Sequence, residues 1–215
     1  MKTILLKDAV ALIPDGARVM IGGFMGVGTP ERLVDELVRQ GKRNLTVIAN
    51  DNAIPGIGIA KLITAGAVKK TIASHIGLNP ETQKKMLAGE LEVDLVPQGT
   101  LIERIRAGGF GLGGVLTPTG VGTVVETGKQ RIEVGGKPYL LETALRADFA
   151  LVDAFLADYI GNLYYALTAR NFNPVIAMAA DTVIVEAENI VPVGVISPDN
   201  VMTPAPVVDY IISHA

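Results

Sequence analysis

Short apolar runs alternate with segments of helical periodicity along the chain, and this alternation restricts the fold more than any other feature. The runs that predict strands are RVMI (18–21), LTVIA (45–49), VKKTIA (68–73), LEVDLV (91–96), DFALVDA (148–154) and TVIVEA (182–187). Strands separated by helices are joined by crossover connections, which favour parallel pairing. The sequence therefore predicts an α/β fold with an open, largely parallel sheet flanked by helices. With 215 residues, 49% of them apolar, and no repeat or linker, we expect one domain over residues 1–215.

Residue preferences at element ends predict several boundaries. A helix is expected from Pro30 to about Gln40, with Thr29 as its N-cap and Gly41 just beyond its end. The other local signals are Asn79-Pro80, which opens a helix ending near Gly89; Thr100 and Glu103, which form a capping box; Gly135-Gly136, which marks a hairpin in 131–142; and DYIGNLYY (158–165), a second hairpin.

Charge and composition exclude several classes of function. The net charge of −3 and the scattered aromatic residues give no basic surface for nucleic acid. Cysteine is absent and the two histidines, His75 and His214, lie far apart, so no metal site is expected. No apolar run approaches the roughly 20 residues of a membrane span, and the N-terminus lacks the apolar core of a signal peptide. We expect a cytoplasmic protein with no nucleic-acid or membrane partner.

The stretch GGFMGVG (22–28), between a predicted strand and a predicted helix, is the first candidate site. A loop at this position places backbone N–H groups at the carboxyl end of a strand, where open α/β sheets bind ligands. Four glycines in seven residues favour close approach of a ligand to the backbone, suited to an anion or oxyanion, although the glycines could simply turn the chain. No nucleotide fingerprint fits this loop. A literal G-x-G-x-x-G at Gly109, Gly111 and Gly114 follows a helix rather than a strand, so we interpret it as a chance match.

The same region carries a resemblance to a known family. DGARVMIGGFMGVGTP (15–30) resembles the signature of the alpha subunits of family I coenzyme A transferases. The similarity continues through the segments 44–63, 73–82, 96–123, 139–152 and 169–191, and therefore covers nearly the whole chain. The chain is most similar to the branch that transfers coenzyme A (CoA) among acetate, butyrate and acetoacetate. It is less similar to the succinyl-CoA:3-oxoacid and 3-oxoadipate transferases, which remain the alternative.

The resemblance implies a sheet of the CoA-transferase type and a homologous beta subunit, usually in an α2β2 assembly. It also implies that the beta subunit carries a glutamate, in a Ser-Glu-Asn-Gly motif, which attacks the acyl-CoA and passes through an acyl-glutamyl anhydride to a glutamyl-CoA thioester. None of this chain's eleven glutamates lies in that motif, since Glu188-Asn189 is followed by Ile190. We therefore expect no catalytic nucleophile on this chain, CoA as a substrate, and no permanently bound cofactor.

The predicted site residues follow from the loop and from the resemblance. We assign Gly22, Gly23, Phe24, Met25, Gly26, Val27 and Gly28 to contact with CoA and to stabilisation of an oxyanion. Gln98, matched to a family glutamine near the acyl group, and Asn50 and Asn52, which follow a strand, are the candidates for substrate contact. His75 is interpreted as structural. Because fold does not fix function, a sugar-phosphate isomerase or an effector-binding module is the alternative from another class.

Overall fold

The computed structural model describes residues 2–212, so His214 lies outside the described residues. The strands are β1 (Lys2–Ile4), β2 (Arg18–Ile21), β3 (Leu45–Asp51), β4 (Val68–His75), β5 (Glu92–Leu95), β6 (Gly114–Thr117), β7 (Arg131–Val134), β8 (Lys137–Thr143), β9 (Ala147–Asp158), β10 (Leu163–Tyr164), β11 (Ala180–Val191) and β12 (Tyr210–Ile212). The α-helices are α1 (Leu6–Ala11), α2 (Glu31–Arg39), α3 (Ala60–Thr64), α4 (Pro80–Leu87), α5 (Gln98–Gly109) and α6 (Asn173–Met178), and 3-10 turns span Val124–Glu126, Leu167–Arg170, Pro198–Asn200 and Ala205–Val207.

The main sheet is parallel along its path β1-β12-β11-β9-β2-β3-β4-β5, and β10 adds one antiparallel pair to β9. A separate antiparallel sheet has the order β6-β8-β7. Alternate residues of the central strands enter two apolar clusters, one on each face of the main sheet. Helices α5 and α6 cover one face, and α1, α2 and α3 cover the other. The predicted open, largely parallel sheet flanked by helices is therefore confirmed.

All six predicted strands are present, and four of them, β3, β4, β9 and β11, are longer than predicted. Strands β9 and β11 run for 12 residues each and pair in parallel from Ala147 and Ala180 to Asp158 and Val191. Directly beyond the predicted end of β11, Glu188 and Asn189 interrupt the apolar pattern. The short strands β1, β6 and β12 were not predicted.

The predicted N-caps have mixed outcomes. Asn79 caps α4 as expected, because its side chain accepts a hydrogen bond from the Thr82 amide at 3.0 Å. Thr29 is not the N-cap of α2, since that helix begins after Pro30, which provides no side-chain cap. The capping box at Thr100 and Glu103 is also wrong. Helix α5 begins earlier than the box requires, directly after Pro97, and places Thr100 inside its first turn.

Both predicted hairpins are confirmed. Gly135 and Gly136, each with positive φ, turn the chain between β7 and β8. In the β9–β10 hairpin, Asp158 Oδ1 accepts hydrogen bonds from three backbone amides, those of Ile160, Gly161 and Asn162, at 2.9–3.1 Å. The literal G-x-G-x-x-G lies between the end of α5 and the antiparallel strand β6, so it lacks the strand-to-helix context of a nucleotide site.

Between residues 2 and 212, no helix combines the length and the apolar character needed to cross a membrane. The same residues contain no group of three or more His, Cys, Asp or Glu side chains placed to hold a metal ion.

Candidate functional site

The glycine loop, residues 22–28, joins the carboxyl end of β2 to α2 as a tight turn. The backbones of Phe24 and Val27 bond to each other in both directions, at 3.0 and 2.9 Å. The two residues between them, Met25 and Gly26, have φ values of 51° and 93°. The side chains of Phe24, Met25 and Val27 are exposed, so the turn presents an apolar tip beyond the end of the sheet.

Most backbone amides of the glycine loop already have acceptors within the chain. The amide of Gly22 donates to the Leu151 carbonyl at 3.1 Å, and the amide of Gly23 donates to Asn171 Oδ1 at 3.1 Å. Met25 donates to a carboxylate described below. Within residues 2–212, only Gly26 and Gly28 of this loop keep an amide without an acceptor. Of the backbone N–H groups that the sequence offered as donors to a ligand along this loop, two therefore remain available.

The four glycines are required by the chain's own packing. A Cβ atom built on Gly22 would lie 1.8 Å from Asn173 Oδ1, and one on Gly23 would lie 2.0 Å from Thr29 Oγ1. Cβ atoms on Gly26 and Gly28 would approach Ile57 Cγ2 to 2.5 Å and the Ala169 carbonyl oxygen to 2.7 Å. Because internal contacts account for all four positions, the number of glycines does not by itself indicate a ligand.

Asparagines far along the sequence hold the glycine loop. Asn171 accepts from the Gly23 amide and donates its Nδ2 to the Val27 carbonyl at 2.9 Å. Asn173 donates its Nδ2 to the Gly28 carbonyl at 2.9 Å and accepts from the Asp153 amide at 3.0 Å. Sequence analysis missed both residues, although the run ARNFNPV (169–175) contains two asparagines before a proline, a pattern typical of structured turns.

Asp51, the last residue of β3, connects the loop to two predicted site residues. Its carboxylate accepts hydrogen bonds from the Met25 amide at 3.0 and 3.2 Å, from the Ala53 amide at 2.7 Å and from Asn50 Nδ2 at 2.6 Å. The Asn50 side-chain oxygen in turn accepts from Gln98 Nε2, at the start of α5. A continuous series of hydrogen bonds therefore joins the glycine loop, the end of β3 and the start of α5.

A cavity of about 260 Å³ lies where these three elements meet. Its lining residues are Phe24, Asn50, Gln98, Gly99, Ile102, Asn171 and Phe172. The structure thus brings together three of the predicted site residues, Phe24, Asn50 and Gln98. Three of the lining side chains are carboxamides, three are apolar, and none is ionisable. A cavity with this lining can hold a short apolar group and can donate hydrogen bonds to an oxygen.

Asn52 does not join the cavity. Its side chain is buried between β4 and α4, where Oδ1 accepts from Thr71 Oγ1 at 2.9 Å and Nδ2 donates to Thr82 Oγ1 at 3.4 Å. Its backbone carbonyl accepts from Asn79 Nδ2 at 3.0 Å. These contacts are structural. His75 is exposed at the end of β4 and does not line the cavity.

Two larger cavities are lined by basic side chains. One of about 490 Å³ is lined by Arg104 and Lys129 around the buried carboxylate of Glu142, and one of about 460 Å³ is lined by Arg106 and Arg170. Neither contains Asn50, Gln98 or a residue of the glycine loop. The predicted site residues Phe24, Asn50 and Gln98 therefore line the smaller cavity, which has no cation in its lining.

A pair of carboxyl groups lies behind the loop. Asp153 and Glu186 are register partners on β9 and β11. Glu186 replaces the predicted Thr29 cap, because its carboxylate accepts from the Arg32 and Leu33 amides at 3.2 and 3.0 Å. Burial, together with the nearby negative charge of Glu186, raises the pKa of Asp153 to about 7. Burial also raises the pKa of Glu186, although the two backbone donors oppose that shift.

The sheet order and this cavity at the carboxyl ends of β2 and β3 define an α/β protein with room for a small, partly apolar group beside a tight glycine turn. The chain belongs to the coenzyme A transferase family, whose model matches residues 3–214. It is 57% identical over 211 residues to the alpha subunit of the acetate CoA-transferase of Escherichia coli K12, with 98% of this chain and 96% of that one covered. It is 52% identical over 213 residues to the alpha subunit of the acetoacetyl-CoA:acetate/butyrate CoA transferase of Clostridium acetobutylicum, with 99% and 98% of the two chains covered.

Solved structures agree on the fold. The acyl-CoA transferase of E. coli O157:H7, in a thioester complex with CoA, matches with a TM-score of 0.88 and 23% identity over 99% of this chain and 47% of that one. The glutaconate CoA-transferase of Acidaminococcus fermentans matches with a TM-score of 0.82 and 22% identity over 99% and 75% of the two chains. The fold implied by the sequence resemblance is therefore confirmed.

Proposed function

We propose that this chain is the alpha subunit of a CoA-transferase that moves CoA between short-chain acyl-CoA, such as acetyl-, butyryl- or acetoacetyl-CoA, and a free short-chain acid. Family membership supports the type of reaction. The observation that carries the substrate class is the 260 Å³ cavity, whose lining has no ionisable side chain. Such a cavity suits a short apolar acyl group, whereas a dicarboxylate would need a cation for its second carboxylate.

The proposed reaction divides the chemistry between two subunits. On the beta subunit, a glutamate in a Ser-Glu-Asn-Gly motif attacks the acyl carbonyl, forms the acyl-glutamyl anhydride and expels the CoA thiolate. The thiolate then attacks the glutamyl carbonyl, which forms the glutamyl-CoA thioester and releases the acid as its carboxylate. The acceptor acid reverses these steps. CoA is thus a substrate and no cofactor stays bound. The assembly proposed is α2β2 in the cytoplasm, with residues 1–215 of this chain as one domain.

This chain would hold the substrate and stabilise negative charge. The amides of Gly26 and Gly28 are the loop donors available to a tetrahedral oxyanion, and the Gln98 carboxamide keeps a second N–H beyond the one that Asn50 accepts. The exposed apolar side chains of Phe24 and Met25 would contact the pantetheine arm of CoA. These assignments retain the glycine loop, Asn50 and Gln98 from the sequence analysis, and omit Asn52.

Acceptor specificity tests the substrate class. The enzyme reconstituted with its beta subunit should transfer CoA to acetate, butyrate and acetoacetate faster than to succinate. The alternative has a basis in sequence, because one subunit of a probable succinyl-CoA:3-ketoacid coenzyme A transferase of Bacillus subtilis is 46% identical over 97% of this chain and 88% of that one. A dominant preference for succinate would overturn the assignment to short monocarboxylic acids.

A charge added to the cavity provides a second test. Gln98→Glu has nearly the same shape but places a carboxylate beside the acyl site, so kcat/KM for every acid should fall about tenfold or more through repulsion of the anionic acceptor. Gln83→Glu is the matched control. Gln83 also donates its amide to neighbouring carbonyl groups, of Ile76 and Gly77, but lies outside the cavity. Equal losses in the two variants would contradict a role for Gln98 at the acyl site.

Trapping the intermediate tests the division of labour. Incubation of the assembled enzyme with acyl-CoA followed by borohydride should reduce the glutamyl thioester and modify one glutamate. Peptide mass analysis should find the modification on the beta subunit. If this chain alone has transferase activity, or if one of its own glutamates is modified, the proposal is refuted.

A further inference from the structure

We infer that Asp51 is a positioning residue that fixes the shape of the candidate cavity by holding two of its walls in register. The inference rests on the proposed function, since it concerns the cavity assigned to the acyl group. Asp51 does not line the cavity itself. Its side chain is buried, with 6% of its surface exposed, and acts through the residues that it binds.

The first wall is the glycine loop. Both carboxylate oxygens of Asp51 accept from the Met25 amide, at 3.0 and 3.2 Å. Met25 has φ of 51°, a backbone conformation that a non-glycine residue adopts only when its surroundings enforce it. The turn that Met25 starts presents Phe24 to the cavity. Holding the amide of Met25 therefore determines where the Phe24 ring lies.

The second wall is the start of α5. Asn50 Nδ2 donates to Asp51, which leaves the Asn50 oxygen pointing to Gln98 Nε2. The orientation of the Asn50 carboxamide is thus set by the carboxylate, because a carboxylate accepts hydrogen bonds and cannot donate them. The same carboxylate accepts from Ala53, which also has a positive φ, of 55°. The carboxylate thus binds Met25, Asn50 and Ala53, and these contacts fix the two walls relative to each other.

The test is Asp51→Asn in the assembled enzyme. A carboxamide replaces one acceptor oxygen with an NH2 group, which opposes the donors of Met25, Asn50 or Ala53. The turn should then shift away from α5 and widen the cavity. The ratio of kcat/KM for hexanoate to that for butyrate should rise about tenfold, the equivalent of one lost hydrogen bond to a charged group. A role limited to general stability would lower the rates for all acids by the same factor.

Asp158→Asn is a matched control. Asp158 is also buried, at 2% exposure, and accepts from three backbone amides and one Asn Nδ2 in the β9–β10 hairpin, whereas Asp51 accepts from two backbone amides and one Asn Nδ2. Its substitution should lower the melting temperature by a similar amount and leave the hexanoate-to-butyrate ratio unchanged. The inference is overturned if Asp51→Asn leaves the ratio unchanged or if Asp158→Asn changes it equally.

A measurement on the unmodified enzyme covers the case in which Asp51→Asn does not assemble. Residue-resolved hydrogen exchange should find the amides of Met25 and Ala53 protected, and the amides of Gly26 and Gly28 exchanging fast. Equal, fast exchange at Met25 and Gly26 would overturn the inference. This readout needs no turnover, so it separates the inference from the proposed function, which is tested by CoA transfer in the wild-type complex.

Discussion

The stability of the Asp153→Asn variant relative to that of the wild type should be greater at pH 8 than at pH 5. Asp153 lies half-buried beside Glu186 on neighbouring strands. Glu186 has two backbone N–H donors, whereas no donor to the Asp153 carboxyl group is found among residues 2–212. Burial, the first cause, and the charges of Glu186, Glu188 and Glu31 raise the pKa of Asp153 from 3.8 to about 7. Asp153 is therefore the member of the pair that keeps its proton.

The sign of the effect follows from proton counts. Below pH 4 the folded and unfolded chains both hold this proton. Between pH 4 and 7 only the folded chain holds it, so the free energy of unfolding falls as the pH rises, and above pH 7 the loss is complete. Of the roughly three pH units between the pKa values of the unfolded and folded chains, about two lie above pH 5. They correspond to a loss of about 2.7 kcal/mol in the free energy of unfolding, at about 1.36 kcal/mol per unit. Halving this value for solvent screening of a partly exposed group leaves about 1.4 kcal/mol.

The variant has no such loss, because the Asn side chain is neutral at every pH. Thermal unfolding of the assembled enzyme should give a difference in melting temperature, variant minus wild type, that grows by about 3–5 °C between pH 5 and pH 8. Comparing the two proteins at each pH cancels the contribution of the partner subunit. Asp181→Asn is the control, since Asp181 is 71% exposed and its ion pair with Arg146 is at the surface. A difference that stays constant or shrinks with rising pH would refute the argument.

Three further substitutions test other contacts by the change in melting temperature of the assembled enzyme. Thr100→Val should stabilise by about 1 kcal/mol, because the buried Thr100 hydroxyl has no partner within the described chain; a loss of stability would contradict this. Lys129→Met should lower the free energy of unfolding by about 3 kcal/mol, because the carboxylate of Glu142, which is 2% exposed, loses its nearest cation. An unchanged stability would mean that water reaches the site. Gly23→Ala should cost about 2 kcal/mol, because φ is +127° and the added Cβ would lie 2.0 Å from Thr29 Oγ1; wild-type stability would show that the loop adjusts freely.

Local sequence patterns were sufficient for the main elements. The apolar runs at 18–21 and 45–49 predicted β2 and β3 because a strand buried on both faces needs a continuous apolar segment, and that requirement is met by neighbouring residues. Asn79-Pro80 predicted the start of α4 because a side-chain cap bonds within one turn of its own helix. Gly135-Gly136 predicted its hairpin from a signal that is also local, because the turn needs positive φ values at the two positions that the glycines occupy.

Site residues were predicted by the family resemblance and by their position after strands, and the structure places them in different surroundings. Asn50 and Gln98 line the same cavity, whereas Asn52, two residues from Asn50, faces α4 instead. Residues two apart share a face within a strand, but β3 ends at Asp51, so Asn52 lies beyond the strand and its direction is set by its contacts with Thr71 and Thr82. The sequence pattern alone could not decide between the two asparagines.

Only the tertiary structure decided which partners the polar groups of the glycine loop have. The order of strands places β9 next to β2, and this neighbourhood brings Asn171 and Asn173 to the loop from almost 150 residues away. The same order brings Glu186 to the N-terminus of α2 in place of Thr29. An apolar side chain can be buried by any neighbour of suitable size, so the local sequence is enough to predict which residues are buried. A hydrogen bond needs one donor and one acceptor within about 3 Å, so its partners are known only when the elements have been brought together.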